Sequence, residues 1–504
     1  GNDPLPLEGG TNPLSVTNVE NVNGRAVADT INLTNAQSGT TIDGQAATDI
    51  LNLQFSGNTV STANIETVNG SAGDDIITTI IAGTGGGIES LDGGDGNDTL
   101  TLADGVNTVT VTNTETINGG TGGDVVTSTT NFTSTDTVDL GAGTDVLNLA
   151  TGNDTLFVKD AETIADIGGT DTITLADGGQ ITTVSGIETI IGGTGNDAVT
   201  AGTVFTTGDS VDLKAGDGDT LNLLSGTNTL SVTNVETVNG DASVGTQIVL
   251  ENTQSGTTFD FGTDTTDEIA LANGGNTVTI IDAEKIEGAT GNDIVTASGV
   301  ASGSTIDLKG GTDTLIVSGT VTATLTNIES ITGSENDDAL GLLAGGNIGS
   351  IDLLGGTGNG GSGNDTINLL SEVDNTITAV NTENVLGGAG NDVVTLGNAV
   401  TSGSFDLEEN TGDTLNLFSG GNNTVTVTNT ETINAGAGDD SITLGTQATS
   451  AAFDFGAGTD SLTLADVVNS ATVTNIESVT GGTADDTITL TSGNDTGTVS
   501  GVDT

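Results

Sequence analysis

The sequence predicts an all-β protein, a parallel β-solenoid (β-roll- or β-helix-like) of about 21 turns alternating between roughly 26 and 21 residues. Three observations carry this. Segments such as Asp98-Thr99-Leu100-Thr101-Leu102 and Asp145-Val146-Leu147-Asn148-Leu149 alternate apolar and polar residues, the period-2 pattern of a half-buried strand. An Asp opens such a segment again and again at near-regular spacing. Gly-rich loops separate the segments, and helix signals are almost absent.

The Asp register runs through Asp3, Asp29, Asp49, Asp75, Asp98, Asp124, Asp145, Asp171, Asp197 and Asp219, then Asp267, Asp293, Asp313, Asp338, Asp365, Asp392, Asp413, Asp440, Asp460 and Asp486. Thr246 fills the one vacant slot. Nine residues before the Asp of each longer spacing stands a Glu: Glu20, Glu66, Glu89, Glu115, Glu162, Glu188, Glu284, Glu329, Glu383, Glu431 and Glu477, with Glu236 drifting by one. The shorter spacings carry Thr/Ser-rich strands at the same place, such as Asp136-Thr137-Val138-Asp139-Leu140. Each turn is therefore expected to hold two core strands joined by a short Gly/Asp loop. A longer, variable connection leads to the next turn. One turn cannot bury its apolar face alone, whereas stacked turns make a continuous core.

Longer duplication agrees. The stretch GTNPLSVTNVENVNG at Gly10 returns as GTNTLSVTNVETVNG at Gly226. The expected organisation is one elongated repeat domain over residues 1–504. Pro4, Pro6 and Pro13 mark residues 1–13 as an N-terminal edge rung, because Pro removes strand donors. In that rung Asp3–Leu7 keeps the register of Asp29–Leu33. The C-terminal end shows no such device and is expected to be uncapped.

Composition excludes several functions. The 504 residues carry a net charge of −64 and contain no Cys, Met, Trp, Tyr or His. Disulfides, thiolate metal sites and His-based catalysis are ruled out. Arg25, Lys159, Lys214, Lys285 and Lys309 are the only cations, too few to neutralise nucleic-acid phosphates. No segment reaches the roughly 18 apolar residues of a membrane-spanning helix.

Five loops match GGxGxD in full, ending at Asp98, Asp124, Asp197, Asp365 and Asp392, and each has an apolar residue two places on. Degenerate versions precede Asp75, Asp145, Asp219, Asp293, Asp313, Asp440 and Asp460. These loops resemble the RTX (hemolysin-type) calcium-binding repeat family, with its GGxGxDxUx nonapeptide. The resemblance implies that glycines shape the turn, that backbone carbonyls face a Ca²⁺ ion, and that the Asp completes a site shared with a stacked loop. All-oxygen ligation suits this hard cation. The twelve Asp residues just named are thus the candidate metal ligands. The register places them on one edge of the solenoid, about once per turn, where tandem nonapeptides would load both edges. The alternative is that Asp and Asn cap the Gly turns by hydrogen bonding. Charge favours the ion: like charges about 5 Å apart repel by roughly 1 kcal/mol per pair even in water. The Asn-x-Glu-Thr context reads as a structural corner, with Asn bonded to backbone.

The expected function is an extracellular, calcium-stabilised structural solenoid of a prokaryotic cell surface: a surface-layer subunit, filament or adhesin stalk, and not an enzyme. The resemblance also implies secretion. Calcium ions are the expected cofactor, and copies of the chain in a surface assembly or surface polysaccharide the expected partners. The alternatives are a carbohydrate-active β-helix enzyme using an Asp/Glu pair and an ice- or polysaccharide-binding solenoid presenting Thr hydroxyls.

Overall fold

The computed structural model describes residues 5–7, 10–14, 19–55, 57–82, 87–242, 245–263, 265–301, 303–318, 323–333, 339–342, 347–353, 365–369, 374–408, 411–491 and 498–501. They form short β-strands and no helix. The chain divides into two compact units, Gly1–Asp241 and Ala242–Thr504. Both are parallel β-solenoids built from the same elements.

Within each unit, successive strands alternate between two sheets. Each strand pairs in parallel with the strand two ahead of it in the chain. In the first unit Thr99–Thr101 pairs with Thr116–Thr121, which pairs with Thr137–Ala142. In the facing sheet Thr108–Thr112 pairs with Val125–Ser128, which pairs with Val146–Asn148. The second unit repeats this with Val393–Leu396, Thr414–Asn416 and Thr432–Asn434 in one sheet and Gly403–Asp406, Thr424–Thr428 and Ser441–Leu444 in the other.

One rung, two strands and two corners, is shorter than the Asp spacing suggests. Asp145 lies 17 residues before Glu162 and 21 after Asp124 on adjacent rungs. The segment expected to be a variable connection is itself a strand with its own corner. From Asp98 to Asp145 the chain makes five strands, Thr99–Thr101, Thr108–Thr112, Thr116–Thr121, Val125–Ser128 and Thr137–Ala142, before Val146–Asn148 begins. Five strands are two and a half rungs. Each copy of the long repeat therefore starts in the opposite sheet from the copy before it.

Inside, the period-2 alternation works as expected. Asp29–Leu33 has Asp29, Ile31 and Leu33 buried and Thr30 and Asn32 half-buried on the outer face. The core is Val, Ile and Leu from both sheets, with Phe132 and Phe205 added in the first unit and Phe259, Phe261, Phe405, Phe453 and Phe455 in the second. Burying apolar area at roughly 25 cal/mol per Å² is what drives the rungs together.

At the N-terminal end, Leu5–Pro6 pairs with Asn21–Asn23, placing Leu5 opposite Val22. Leu7 is buried and Pro6 exposed. The strand that lies on Asp29–Leu33 is Gly10–Leu14 instead. Leu7 and Pro6 thus face as Leu33 and Asn32 do, in keeping with the expected register, although the two segments lie in different sheets because strands of like sequence alternate between them. Asp3 and Pro4 lie outside the described residues. At the other end, Leu490 stands beside buried Val473, and Val499 beside buried Val479, yet they are 42% and 46% exposed.

Candidate functional site: two buried carboxylate ladders

The register Asp faces inward. Because side chains alternate in a strand, the Asp of Asp-x-apolar-x-apolar falls on the same face as the two apolar residues after it. It stands where the core meets the corner. All twelve candidates, Asp75, Asp98, Asp124, Asp145, Asp197, Asp219, Asp293, Asp313, Asp365, Asp392, Asp440 and Asp460, are at most 1% exposed.

What they do there is hydrogen-bond between rungs. In eleven of the twelve, all but Asp365, the Oδ1 accepts the backbone N–H of the residue that opens the strand one rung earlier. Asn107 N–H donates to Asp124 at 3.0 Å, Asp124 N–H to Asp145 at 2.6 Å, and Asp145 N–H to Glu162 Oε2 at 2.6 Å. The same Asn–Asp–Asp–Glu cassette runs Asn276–Asp293–Asp313–Glu329, Asn375–Asp392–Asp413–Glu431 and Asn423–Asp440–Asp460–Glu477. Another runs Asn58–Asp75–Asp98–Glu115. Gln180 opens one that continues through Asp197 and Asp219 to Glu236. Asp365 N–H donates to Glu383 at 3.2 Å.

The cassettes occupy both edges, not one. Asp124, Asp145, Asp197, Asp219, Asp293, Asp313 and Asp392 open strands of one sheet, and Asp75, Asp98, Asp365, Asp440 and Asp460 open strands of the other within their units. The cause is the half-integral repeat: after two and a half rungs the same motif meets the opposite edge.

Two groups escaped sequence reading. Glu of the Asn-x-Glu-Thr register is the last acceptor of a cassette, and Asn of "GNTV"-like segments is its first member. The usable signal was the recurrence of Asn, Asp and Glu 17 residues apart. The Asn of Asn-x-Glu-Thr does mark a corner: Asn64, Asn113, Asn234, Asn327, Asn381, Asn429 and Asn475 have φ of 47 to 53° or, at Asn475, 56°. Asn tolerates this left-handed region better than most residues. Its Nδ2 donates to an Asp on the neighbouring rung, as Asn429 does to Asp406 at 2.9 Å, rather than to backbone.

The loop glycines serve close approach. A Cβ on Gly93 would lie 2.6 Å from Asp98 Oδ2 and collide with the Asn113 carbonyl; one on Gly192 would lie 2.7 Å from Asp197 Oδ2 and 2.5 Å from the Leu213 carbonyl. Carboxylate and carbonyl oxygens thus crowd the same loop wall.

The second carboxylate oxygen divides the candidates. In Asp75, Asp124, Asp197 and Asp392, Oδ2 accepts a loop N–H from Ser71, Gly120, Gly193 and Gly388 respectively. In Asp98, Asp145, Asp219, Asp293, Asp313, Asp440 and Asp460, Oδ2 is buried without a hydrogen-bond partner. A buried polar atom left unpaired costs about 1–3 kcal/mol. Burial first, and then neighbouring carboxylates, push the Asp98 and Asp460 carboxyls up to about 6, and raise those of Asp145, Asp219 and Asp313. The described lysine ion pairs lie elsewhere, on Asp139, Asp160, Asp212, Glu268 and Glu287.

The donor set fits a hard cation in kind: oxygen only, with unpaired carboxylate oxygens beside loop carbonyls. Among the described residues no group of three or more acidic side chains converges to hold a metal. An ion would rest on one carboxylate oxygen with backbone carbonyls. The loop before Asp365 lies outside the described residues. No helix of the described residues is long and apolar enough to cross a membrane. The chain matches no protein-family model and no curated relative.

Proposed function

We propose that this chain is an extracellular structural solenoid of a prokaryotic cell surface, a surface-layer subunit, filament or adhesin stalk, stabilised by calcium and without catalytic activity. The observation that carries the reading is the buried row of Oδ2 atoms left without a hydrogen-bond partner, set in a chain of net charge −64. Asp98, Asp145, Asp219, Asp293, Asp313, Asp440 and Asp460 would hold ions through these oxygens. Asp75, Asp124, Asp197 and Asp392 would first exchange a loop N–H for the ion, and Asp365 belongs to the same register. Millimolar calcium outside cells fills weak sites of this kind, whereas cytosolic levels do not. Repetition without a distinct cleft-lining set suits a spacer that presents copies of itself, or surface polysaccharide, at a distance from the cell.

The test is a calcium titration of the full chain, followed by calorimetry and circular dichroism, with chelator as the reference. Saturable heat and a higher melting temperature in calcium are expected. The same melt in calcium and in chelator would remove calcium from the reading. Electron microscopy of the calcium-loaded protein, showing sheets or filaments against lone particles, tests the surface-assembly part separately. Turnover of a polysaccharide would replace the reading with the enzyme alternative.

A further inference from the structure

Twelve strands open with the Glu register, and four residues after that Glu the chain has Gly in ten of them, Ala435 in one and Asp166 in the other. The glycine position is the crowded one. At Gly93 and Gly192 an added Cβ would lie 2.6 and 2.7 Å from the Oδ2 of Asp98 and Asp197, the ladder Asp five residues on. Asp166 stands at this position before Asp171, and its backbone keeps the usual register, donating to the Ser185 carbonyl at 2.9 Å as Gly192 does to Asp212.

A carboxylate therefore occupies the wall against which another carboxylate is already packed. Asp166 is 7% exposed and Asp171 fully buried. One Asp166 oxygen accepts the Gly168 N–H, and Asp171 Oδ1 accepts the Asp154 N–H at 2.7 Å. The remaining two, Asp166 Oδ1 and Asp171 Oδ2, are buried without hydrogen-bond partners. The charged groups facing the pair are Asp154 on the preceding rung and Glu188 on the following one, both acidic. Lys159 is turned away, paired to Asp139 and Asp160 on the outside.

We propose that Asp166 and Asp171 hold one proton between them at neutral pH, so that this single loop is an acid-stabilised latch in an otherwise glycine-lined ladder. Two carboxylates in contact away from water cannot both stay ionised; one proton turns their repulsion into an O–H···O⁻ bond and satisfies both orphan oxygens. Burial and the Asp166 carboxylate together push the Asp171 carboxyl up to about 7. A proton held by the folded state and not by the unfolded one stabilises below the unfolded carboxylate range. That stability is lost as pH rises through about 7. This site is independent of calcium at the other loops.

The test compares the wild-type chain with Asp166→Gly, which supplies the residue found in ten of the other eleven loops, and Asp166→Asn, which supplies a permanent N–H donor. Thermal melts in chelator from pH 4 to pH 9 are expected to show both variants gaining on the wild type as pH rises from about 4 to about 7, with the gap level above that. An infrared difference spectrum at pH 6 should show a protonated carboxyl band in the wild type that Asp166→Asn lacks. A gap independent of pH, or no such band, would overturn the proposal. So would a band that calcium abolishes, which would put a metal ion between the carboxylates in place of the proton.

Discussion

The backbone N–H of Asp98 donates to Glu115 Oε2 at 2.7 Å across 17 residues of chain, and with that bond a cassette of the ladder ends. Glu115 is the longer side chain of the series and reaches from its corner to the rung before. Replacing it by Ala leaves a buried N–H unpaired, an expected loss of about 1–3 kcal/mol. Glu115→Gln keeps an acceptor oxygen and should cost clearly less. Urea unfolding of the two variants measures the difference, and equal losses would show that Glu115 contributes charge rather than an acceptor.

Loop glycines should differ sharply in tolerance. Gly93→Ala forces a methyl against Asp98 Oδ2 and the Asn113 carbonyl, whereas a Cβ on Gly168 meets nothing within 4 Å. Overpacking of this kind costs about 1–3 kcal/mol. Gly168→Ala is expected to be near neutral. Hydrogen exchange at the neighbouring rungs will locate the loss in Gly93→Ala.

Corner asparagines contribute both a conformation and a bond. Asn429 sits at φ 49° and donates to Asp406 at 2.9 Å. Asn429→Ala should lose both, costing about 1–2 kcal/mol for the left-handed backbone alone. Asn429→Gly keeps the conformation and should recover part of the loss. Chemical denaturation ranks the three.

In chelator the whole protein should be more stable in mild acid than at neutrality. Burial raises the Asp49, Asp98 and Asp460 carboxyls to about 6, so the folded state binds protons that the unfolded state has released. Stability from these groups is full below about pH 4 and falls as pH climbs through about 6. Melting temperature against pH checks the sign: a curve rising from pH 4 to pH 7 would contradict it.

Calcium should reverse that fall. An ion binding only the folded chain stabilises it by about 2.7 kcal/mol per site at a hundred times its dissociation constant. Its effect should be larger at pH 7.5 than at pH 5, where protons compete for the same oxygens. Asp440→Asn together with Asp460→Asn keeps the ladder acceptors and removes two charges. That variant is expected to lose the calcium-dependent stabilisation of these two sites, while its melt in chelator changes little in mild acid and rises towards neutrality, where the buried Asp460 carboxylate is charged.

The sequence by itself determined the architecture and the faces of its strands. Alternation in Asp29-Thr30-Ile31-Asn32-Leu33 dictates which residues point inward, and a repeat too short to close a core dictates stacking. It also placed the corners, because an Asn before Glu-Thr tolerates the left-handed turn that Asn113 and Asn429 adopt. Tertiary structure decided how the repeats meet. Between Asp98 and Asp145 lie five strands, an odd number, so matching motifs land in opposite sheets and the Asp register serves two edges. No local pattern states this, since strand parity is set by how the chain closes each rung. The partners of Asp98, which are Asp75 behind and Glu115 ahead, likewise arise only when rungs stack, as do the Asp154 and Glu188 partners of Asp171.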